Sequence, residues 1–300
     1  MNHRIGLQSM VIQTKKLTKF YGASRGIQDI DLSVCQGEVF GFLGPNGSGK
    51  TTTIRILLDF IRATSGWARI FGMDAHTDST RIRSRIGYLP GEYGMYEDMT
   101  AVEYLHFLGS LRGDNDPPLK HRLVDLLDLD TSRRVRSFSH GTKQKLALVQ
   151  AFMHDPELVI LDEPTSGLDP LVQQRFHEFI LESKGRGRTI FLSSHILSEV
   201  ERVCDRVAIL KEGRLIAVHG IADLKRLRLK TIEVTFEQDL DESLFQLEGV
   251  RKIEKDAHTV RLWVDANING ILQILSQYPI DRISCGDARL EDIFLEYYSK

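Results

Sequence analysis

Apolar runs of strand length alternate with helical patterns over the first three-quarters of the chain. Polar and apolar residues alternate at Val11–Tyr21 and Ile27–Val34, which predicts strands with one buried face. The runs at Glu38–Leu43, Leu158–Leu161 and Thr189–Leu192 are wholly or nearly apolar, which predicts strands buried on both faces. This alternation indicates an α/β domain built on a mainly parallel sheet.

Two segments between these strands carry helix signals. Over Lys50–Ile61, apolar residues recur on one face, which predicts an amphipathic helix. A second helix is predicted to start after Thr100, whose side chain suits an N-cap, and to run through Leu111.

The pattern changes near a Lys/Arg-rich stretch at Leu224–Lys230, interpreted as the end of a helix and a linker. A solvated helix face explains that stretch equally well. Beyond it the sequence predicts a small α+β domain with these elements: strands Thr231–Phe236, Val250–Lys255, Thr259–Val264 and Ile280–Ser284, and helices Ser243–Leu247, Ile268–Tyr278 and Leu290–Tyr298. We therefore expect a large α/β domain at 11–228, with a helical subdomain at about 92–155, and an accessory domain at 229–300.

Composition narrows the functional classes. The 300 residues are 42% hydrophobic and 27% charged, which is typical of a globular protein. The net charge is −2, without the basic surplus of a nucleic-acid reader, so no direct nucleic-acid partner is expected. No apolar run approaches the roughly 20 residues of a membrane span. A membrane role would therefore require a partner.

The N-terminal segment and the cysteines carry no signal for a particular function. The first ten residues lack the apolar region of a signal peptide, and Met10 is an alternative start. Cys35, Cys204 and Cys285 are widely spaced, without a metal-binding pattern, and are expected to be reduced.

A glycine-rich segment between a predicted strand and a predicted helix fits the pattern G-x-x-x-x-G-K-[ST] throughout. Its glycines let backbone N–H groups face phosphate oxygens, and the start of the following helix adds a favourable dipole. Lys50 is expected to reach the β- and γ-phosphates of ATP, and the Thr51 hydroxyl to ligate Mg²⁺. The predicted ATP-binding residues of this phosphate loop are Gly44, Pro45, Asn46, Gly47, Ser48, Gly49, Lys50, Thr51 and Thr52.

A pair of acids follows the apolar run Leu158–Leu161. Ligands of open α/β sheets bind at the carboxyl ends of the strands, so Asp162 is expected to hold Mg²⁺. Glu163 comes next and is expected to polarise the attacking water as a general base.

The segment Phe138–Thr142 supplies a third motif, in which Ser139 and Gly141 match the Leu-Ser-Gly-Gly-Gln signature of one family. With these motifs the sequence resembles the ATP-binding cassette (ABC) ATPases, over most of its length. The resemblance implies that Ser139 and Gly141 of one subunit contact the γ-phosphate of ATP held by another. Two subunits, identical or homologous, would then enclose two ATP molecules with two-fold symmetry.

Three further positions match the family in order along the chain. The resemblance implies that Tyr21 stacks on adenine, that Asp169 belongs to the loop coupling the two ATP sites, and that His195 contacts the γ-phosphate and the catalytic water.

The chain departs from the family at Phe138, His140 and Thr142 of the signature, and at one further position. A glutamine that contacts Mg²⁺ normally follows the strand that we predict at Ile86–Pro90, and this chain has Gly91 and Glu92 there. We expect Glu92 to take the role with a carboxylate oxygen; the alternative is that the role is vacant.

The resemblance also implies a partner. Residues Tyr93–Met99 and the helix after Thr100 correspond to the family's socket for a helix of the membrane subunit. The tail Leu290–Tyr298 is similar to that of bacterial drug, peptide and lipid exporters, including daunorubicin and bacitracin resistance types. We therefore expect an ATP-hydrolysing subunit that acts at the cytoplasmic face of the membrane, powering export through a separate multi-span permease. A soluble ABC ATPase acting on ribosomes or nucleic acid is the alternative.

Overall fold

The computed structural model describes residues 9–92, 94–113, 116–226, 230–264 and 268–287. The chain divides into two compact units, one up to Ile221 and one from Ala222 onward. The predicted boundary at 228–229 falls on residues outside the described ranges and stays a prediction, as does the helical subdomain at about 92–155. Tyr93 and the predicted helix Leu290–Tyr298 also lie outside those ranges.

The first unit alternates strands and helices as the hydrophobic pattern indicates. Its strands are β1 Met10–Tyr21, β2 Ser24–Cys35, β3 Val39–Leu43, β4 Ser65–Ile70, β5 Met73–Asp74, β6 Ile86–Leu89, β7 Leu158–Asp162, β8 Thr189–Ser194, β9 Arg206–Lys211 and β10 Arg214–Gly220. Its helices are α1 Lys50–Leu57, α2 Ser79–Arg83, α3 Ala101–Ser110, α4 Pro118–Leu126, α5 His140–Phe152, α6 Pro170–Gly185 and α7 Leu197–Val203, with a 3₁₀ turn at Val135–Ser137. A further helix, α8 Ile221–Arg226, begins at the boundary between the units.

A mainly parallel sheet forms the centre of this unit and confirms the predicted α/β class. Its described strands lie in the order β10-β9-β3-β8-β7-β6, and only the β10–β9 pair in this sheet is antiparallel. Every residue of β3, β7 and β8 is buried, which explains their continuous apolar runs. Register pairs Asp162 with Ser193 and Leu43 with Ser194, so the carboxyl ends of the three strands meet at one edge.

Aromatic packing ties this sheet together. Phe40 and Phe42 of β3 are fully buried against Phe191 of β8, with ring centroids 5.9 and 5.2 Å from it. Burying a side chain of this size contributes about 1.5–3 kcal/mol, so these contacts fix β3 beside β8.

The two strands with alternating polar and apolar residues, β1 and β2, belong to a separate antiparallel sheet, in the order β2-β1-β4-β5. Leu17, Ile27 and Ile30 point from β1 and β2 into the core and are fully buried, as the alternation predicts. The pairing with β4 and β5 was not predicted from the sequence.

Helix α1 ends at Leu57, four residues before the predicted end at Ile61. Asp59 takes the left-handed conformation, with φ of 57°, which a helix interior excludes. Its carboxylate lies 3.1 Å from Nδ1 of His76 and 3.3 Å from Nε of Arg62, contacts that stabilise this position. The apolar periodicity continues past this break, and for that reason the prediction was too long.

The second unit is a small α+β domain, as predicted. Its elements are β11 Lys230–Phe236, a 3₁₀ turn at Glu242–Phe245, β12 Val250–Asp256, β13 Thr259–Val264, α9 Ile268–Leu275 and β14 Ile280–Asp287. The described strands form one antiparallel sheet in the order β12-β13-β11-β14. Its apolar face, with Val234 and Leu262 fully buried, packs with Ile271 of α9 in one core.

Among the described residues, none of the helices combines the length and the apolar character that crossing a bilayer requires.

The start of α3 carries the predicted N-cap and leads to a first test. The Thr100 hydroxyl accepts a hydrogen bond from the Glu103 backbone N–H, and the Glu103 carboxylate accepts one from the Thr100 N–H. Because Thr100→Ala leaves a helix N–H unsatisfied, we expect it to lower the free energy of unfolding by about 1 kcal/mol in chemical denaturation. Thr80→Ala, at an exposed helical site, should cause no comparable loss; equal stability of the two variants would contradict the cap.

Candidate active site

The phosphate loop connects β3 to α1. Gly49 precedes the helix with φ of 103°, a conformation that a residue with a side chain rarely adopts. Lys50 is the first helical residue and is only 6% exposed. Its Nζ donates hydrogen bonds to the carbonyl oxygens of Gly44 and Pro45, at 2.6 and 3.3 Å. The loop therefore folds around its own lysine and presents a helix start beside the ammonium group.

Ser48 shows that this loop fits a phosphate. Its Oγ is buried and has no hydrogen-bond partner among the described residues. A buried hydroxyl without a partner costs about 1–3 kcal/mol, and a phosphate oxygen in the loop would supply the missing bond. The side chain and the adjoining helix start thus fit the anion that the motif predicts.

Asp162 ends β7 and is 1% exposed. One carboxylate oxygen accepts a hydrogen bond from the Thr51 hydroxyl at 2.8 Å, and the other accepts one from the Ser193 hydroxyl at 2.5 Å. The predicted Mg²⁺ residues Thr51 and Asp162 are therefore brought together, although they lie 111 positions apart. A hydroxyl next to a carboxylate is an oxygen donor set that fits Mg²⁺, whose remaining ligands are usually water and substrate phosphate.

Glu163 is held at the centre of the polar cluster. Its Oε1 lies 3.1 Å from Lys50 Nζ, and its Oε2 lies 2.8 Å from Nδ1 of His195. Its backbone is left-handed, with φ of 53°, and its N–H donates to the Ser193 hydroxyl at 3.1 Å. Two of the three predicted catalytic residues, Lys50 and His195, thus contact the carboxylate of the third, Glu163.

Ser193 is a site residue that sequence reasoning missed. It is fully buried, and its hydroxyl donates to Asp162 while accepting from the Glu163 N–H. The available signal was a pair of serines ending an otherwise apolar strand, at the edge where ligands bind.

The signature residues start helix α5. Ser139 caps the helix, and its Oγ accepts a hydrogen bond from the Thr142 N–H at 3.2 Å. The helix begins at His140, because this cap sets the first turn. Gly141 packs against the loop after Glu163: a Cβ placed there would lie 2.3 Å from the carbonyl oxygen of Gly167. The signature therefore contacts the segment that carries Glu163 in its own chain.

Tyr21 and Asp169 lie at the borders of this site. The exposed ring of Tyr21 lies against Gly26, which in turn approaches Gly49 of the phosphate loop. Asp169 caps helix α6 by accepting a hydrogen bond from the Val172 N–H at 3.0 Å, and this bond lowers the pKa of its carboxyl. Their roles toward ATP stay predictions.

Gly91, where the chain departs from the family, approaches the carboxylate of Asp162. A Cβ at Gly91 would lie 3.3 Å from Oδ2 of Asp162, whereas the side chain of Glu92 is exposed. The absence of a side chain at Gly91 leaves space beside Asp162, and Glu92 is one residue away from that space.

The fold and the site together define a P-loop nucleoside-triphosphate hydrolase: phosphate loop, metal-site carboxylate and general-base candidate follow parallel strands of one sheet. The chain belongs to the ABC transporter family, whose model matches residues 27–166. It is an ATPase and the ATP-binding subunit of a transporter.

Three relatives show the extent of this similarity. The bacitracin transport ATP-binding protein BcrA of Bacillus licheniformis is 40% identical over 228 residues, covering 75% of this chain and 74% of that protein. The ABC transporter ATP-binding protein NatA of Bacillus subtilis is 39% identical over 198 residues, covering 64% of this chain and 80% of that protein. An uncharacterised ABC transporter ATP-binding protein of Synechocystis is 38% identical over 232 residues, covering 73% of this chain and 65% of that protein.

Solved structures agree with this assignment. The ATP-binding subunit of an ABC transporter superimposes with a TM-score of 0.66 at 33% identity, covering 72% of this chain and 92% of that one. A dimeric ATP-binding cassette bound to ADP and phosphate superimposes with a TM-score of 0.63 at 21% identity, which supports the fold alone.

The position of Glu92 leads to a test of the metal site. If its carboxylate binds Mg²⁺, Glu92→Gln should raise the Mg²⁺ concentration that gives half-maximal ATP turnover, because an amide oxygen is a weaker ligand for a hard cation. The control is Glu237→Gln, an exposed change in the second unit. An unchanged Mg²⁺ dependence would show that Glu92 is not a ligand.

Proposed function

We propose that the chain drives export: two copies, or one copy and a homologous subunit, bind ATP between them and pass the closing motion to a separate multi-span permease at the cytoplasmic face of the membrane. The observation that carries ATP hydrolysis in this proposal is Glu163, held between Lys50 and His195 at the carboxyl ends of the parallel strands. The similarity to bacitracin transport ATP-binding proteins supports a role in transport, for which we propose the direction of export.

In this proposal Lys50 and the N–H groups of the phosphate loop bind the β- and γ-phosphates. Thr51 and Asp162 hold Mg²⁺, with Glu92 as a further ligand; the ion would neutralise phosphate charge. Tyr21 stacks on the adenine. Electrostatic stabilisation of this kind is the main catalytic contribution in phosphoryl transfer, since the protein performs little covalent chemistry.

Glu163 then accepts a proton from the attacking water. Its two carboxylate oxygens face Lys50 and His195. When phosphate groups take over the contact with Lys50, one oxygen becomes available to the water. His195 remains to hold the other oxygen, so the carboxylate keeps its direction.

The second subunit supplies Ser139 and Gly141. Ser139 is the N-cap residue of α5. Its hydroxyl and the start of the helix form a surface that suits an anion. A subunit related by two-fold symmetry would present that surface to the γ-phosphate. Asp169, beside the loop that Gly141 contacts, would lie near the same junction.

A groove in the first unit suits the permease. Its volume is about 230 Å³, and its lining includes Phe60, Tyr88, Leu111 and Arg112. Phe60 and Leu111 are 51% and 68% exposed, an unusual amount for large apolar side chains on one surface. This supports binding of an apolar segment, such as a short helix of a membrane protein.

The charge of this groove indicates what else the partner carries. Arg83 donates to the Leu58 carbonyl oxygen at 3.0 Å and Arg112 to that of Ser84 at 3.2 Å; no carboxylate pairs with either among the described residues. His154 adds no charge at neutral pH, because burial is the main factor lowering its pKa to about 4. A partner helix with an acidic residue beside its apolar face would complement these arginines.

Tyr88 connects the groove to the metal site. It lies on β6 within the groove, and burial, followed by the negative charge of Asp162, raises its pKa to about 12. The side chain is therefore within electrostatic range of Asp162. Strand β6 pairs with β7, which ends at Asp162, so a partner in the groove would lie one strand away from the nucleotide site.

The role of Glu163 is tested by Glu163→Gln. We expect ATP turnover to fall by about 10²–10⁴-fold, because the amide cannot accept the proton of the attacking water. The variant should also accumulate as an ATP-bound dimer, measured by gel filtration with light scattering. Glu178→Gln, an exposed change on α6, should retain normal turnover. Turnover near that of the unmodified protein in Glu163→Gln would reject the role.

A further inference from the structure

We infer that Gln144 is a positioning residue for Glu163, holding the backbone of the general base through its side-chain amide. The inference rests on the proposed role of Glu163 in ATP hydrolysis. Gln144 lies on α5, in the turn after the signature residues, and was not singled out by its sequence position.

The contacts of Gln144 are specific to the turn that carries Glu163. The side chain is 3% exposed, and its Nε2 donates to the carbonyl oxygens of Glu163 and Pro164, at 3.2 and 2.8 Å. This one buried amide group thus bonds two successive carbonyl groups. The Glu163 carbonyl oxygen also accepts a hydrogen bond from the Ser166 N–H at 3.2 Å, whereas the amide is the partner that the described contacts give the Pro164 carbonyl oxygen. Because buried carbonyl groups need partners, the amide stabilises this turn.

The turn needs this support because its conformation is unfavourable. Glu163 has φ of 53°, in the left-handed region that side chains other than glycine seldom occupy. Such residues persist only where surrounding contacts determine the backbone. Here the Ser193 hydroxyl holds the N–H of Glu163 and Gln144 holds its carbonyl oxygen, so the residue is fixed on both sides.

The conformation of this backbone decides where the carboxylate points. With the turn fixed, the two oxygens reach Lys50 and His195 at 3.1 and 2.8 Å. If the turn relaxed toward ordinary φ values, the Cα–Cβ direction would change and the carboxylate would leave its place beside the phosphate loop. A displacement of about 1 Å is enough to lower a rate by about 10²-fold.

The same helix contacts the loop a second time. Gly141, one turn before Gln144, packs on the Gly167 carbonyl oxygen. From the other side, Gln173 of α6 donates to the carbonyl oxygens of Thr165 and Leu168, at 3.3 and 3.0 Å. Residues 163–168 are thus held between α5 and α6, and Gln144 provides the contact at the catalytic end. A shift of the signature helix would therefore change the position of Glu163 in its own chain.

The test uses Gln144→Met in the full chain, which keeps the length of the side chain and removes the amide. We expect kcat for ATP hydrolysis to fall by about 10-fold or more, with KM for ATP changed less than about twofold, since the phosphate loop is untouched. The control is Gln174→Met on α6, which removes an exposed hydrogen bond to Glu178 and should leave kcat unchanged.

A double-mutant cycle separates positioning from general destabilisation. In a Glu163→Gln background, Gln144→Met should cause no further fall in kcat, because the carboxylate that it positions is already absent. A purely structural role would lower kcat in both backgrounds and would overturn the inference. If Gln144→Met does not fold, Gln144→Asn, which keeps an amide one methylene shorter, is measured in the same cycle.

The outcomes distinguish this inference from the proposed function. If the unmodified chain hydrolyses ATP and Gln144→Met is equally active, the positioning role is wrong and the role of Glu163 stands. If Glu163→Gln is as active as the unmodified chain, the proposed mechanism itself fails.

Discussion

The structure depends on the hydrogen bond between Ser193 and Asp162, which joins the carboxyl ends of two fully buried parallel strands. A buried carboxylate is tolerated only when neighbouring groups satisfy it, and here two hydroxyl groups do so. The ladder between β7 and β8 pairs Asp162 with Ser193, and the Thr51 hydroxyl brings the start of α1 to the same edge. All of the chemistry is thereby gathered where the apolar strands end.

The remaining contacts of the site, next to this edge of the sheet, are ion pairs and hydrogen bonds to the backbone. Lys50 is buried and lies between loop carbonyl oxygens and the carboxylate of Glu163, so its charge is paired within the chain. Glu163 has an unfavourable backbone conformation, which the neighbouring helix and strand stabilise. The site is thus preorganised by its surroundings, and helix α5 contacts the segment that carries Glu163 through Gln144 and Gly141. This arrangement suits an ATPase whose cycle is linked to a second subunit and to a membrane partner.

Sequence reasoning found those features that local patterns encode. The phosphate loop and the acids after β7 follow from motif spacing, and the buried strands from apolar runs, because burial on both faces leaves no other composition. It missed Ser193, whose partner Asp162 lies 31 residues away, and Gln144, whose partners lie 19 and 20 residues away. These residues become neighbours only through the tertiary fold. It extended α1 too far because Asp59 stops the helix through its backbone conformation while the apolar period continues. The pairing of β1 with β4 was likewise set by long-range contacts.

The central claim, that this ATPase drives a membrane permease, is tested most directly by co-purification from detergent-solubilised membranes of the native host, using the tagged chain and mass spectrometry. The account predicts that a multi-span protein co-purifies, that adding it changes ATP turnover, and that Arg112→Glu in the groove weakens its capture, because an acidic partner would be repelled. Arg69→Glu, an exposed change on β4, should not. Recovery of only ribosomal or nucleic-acid-associated proteins would contradict the account.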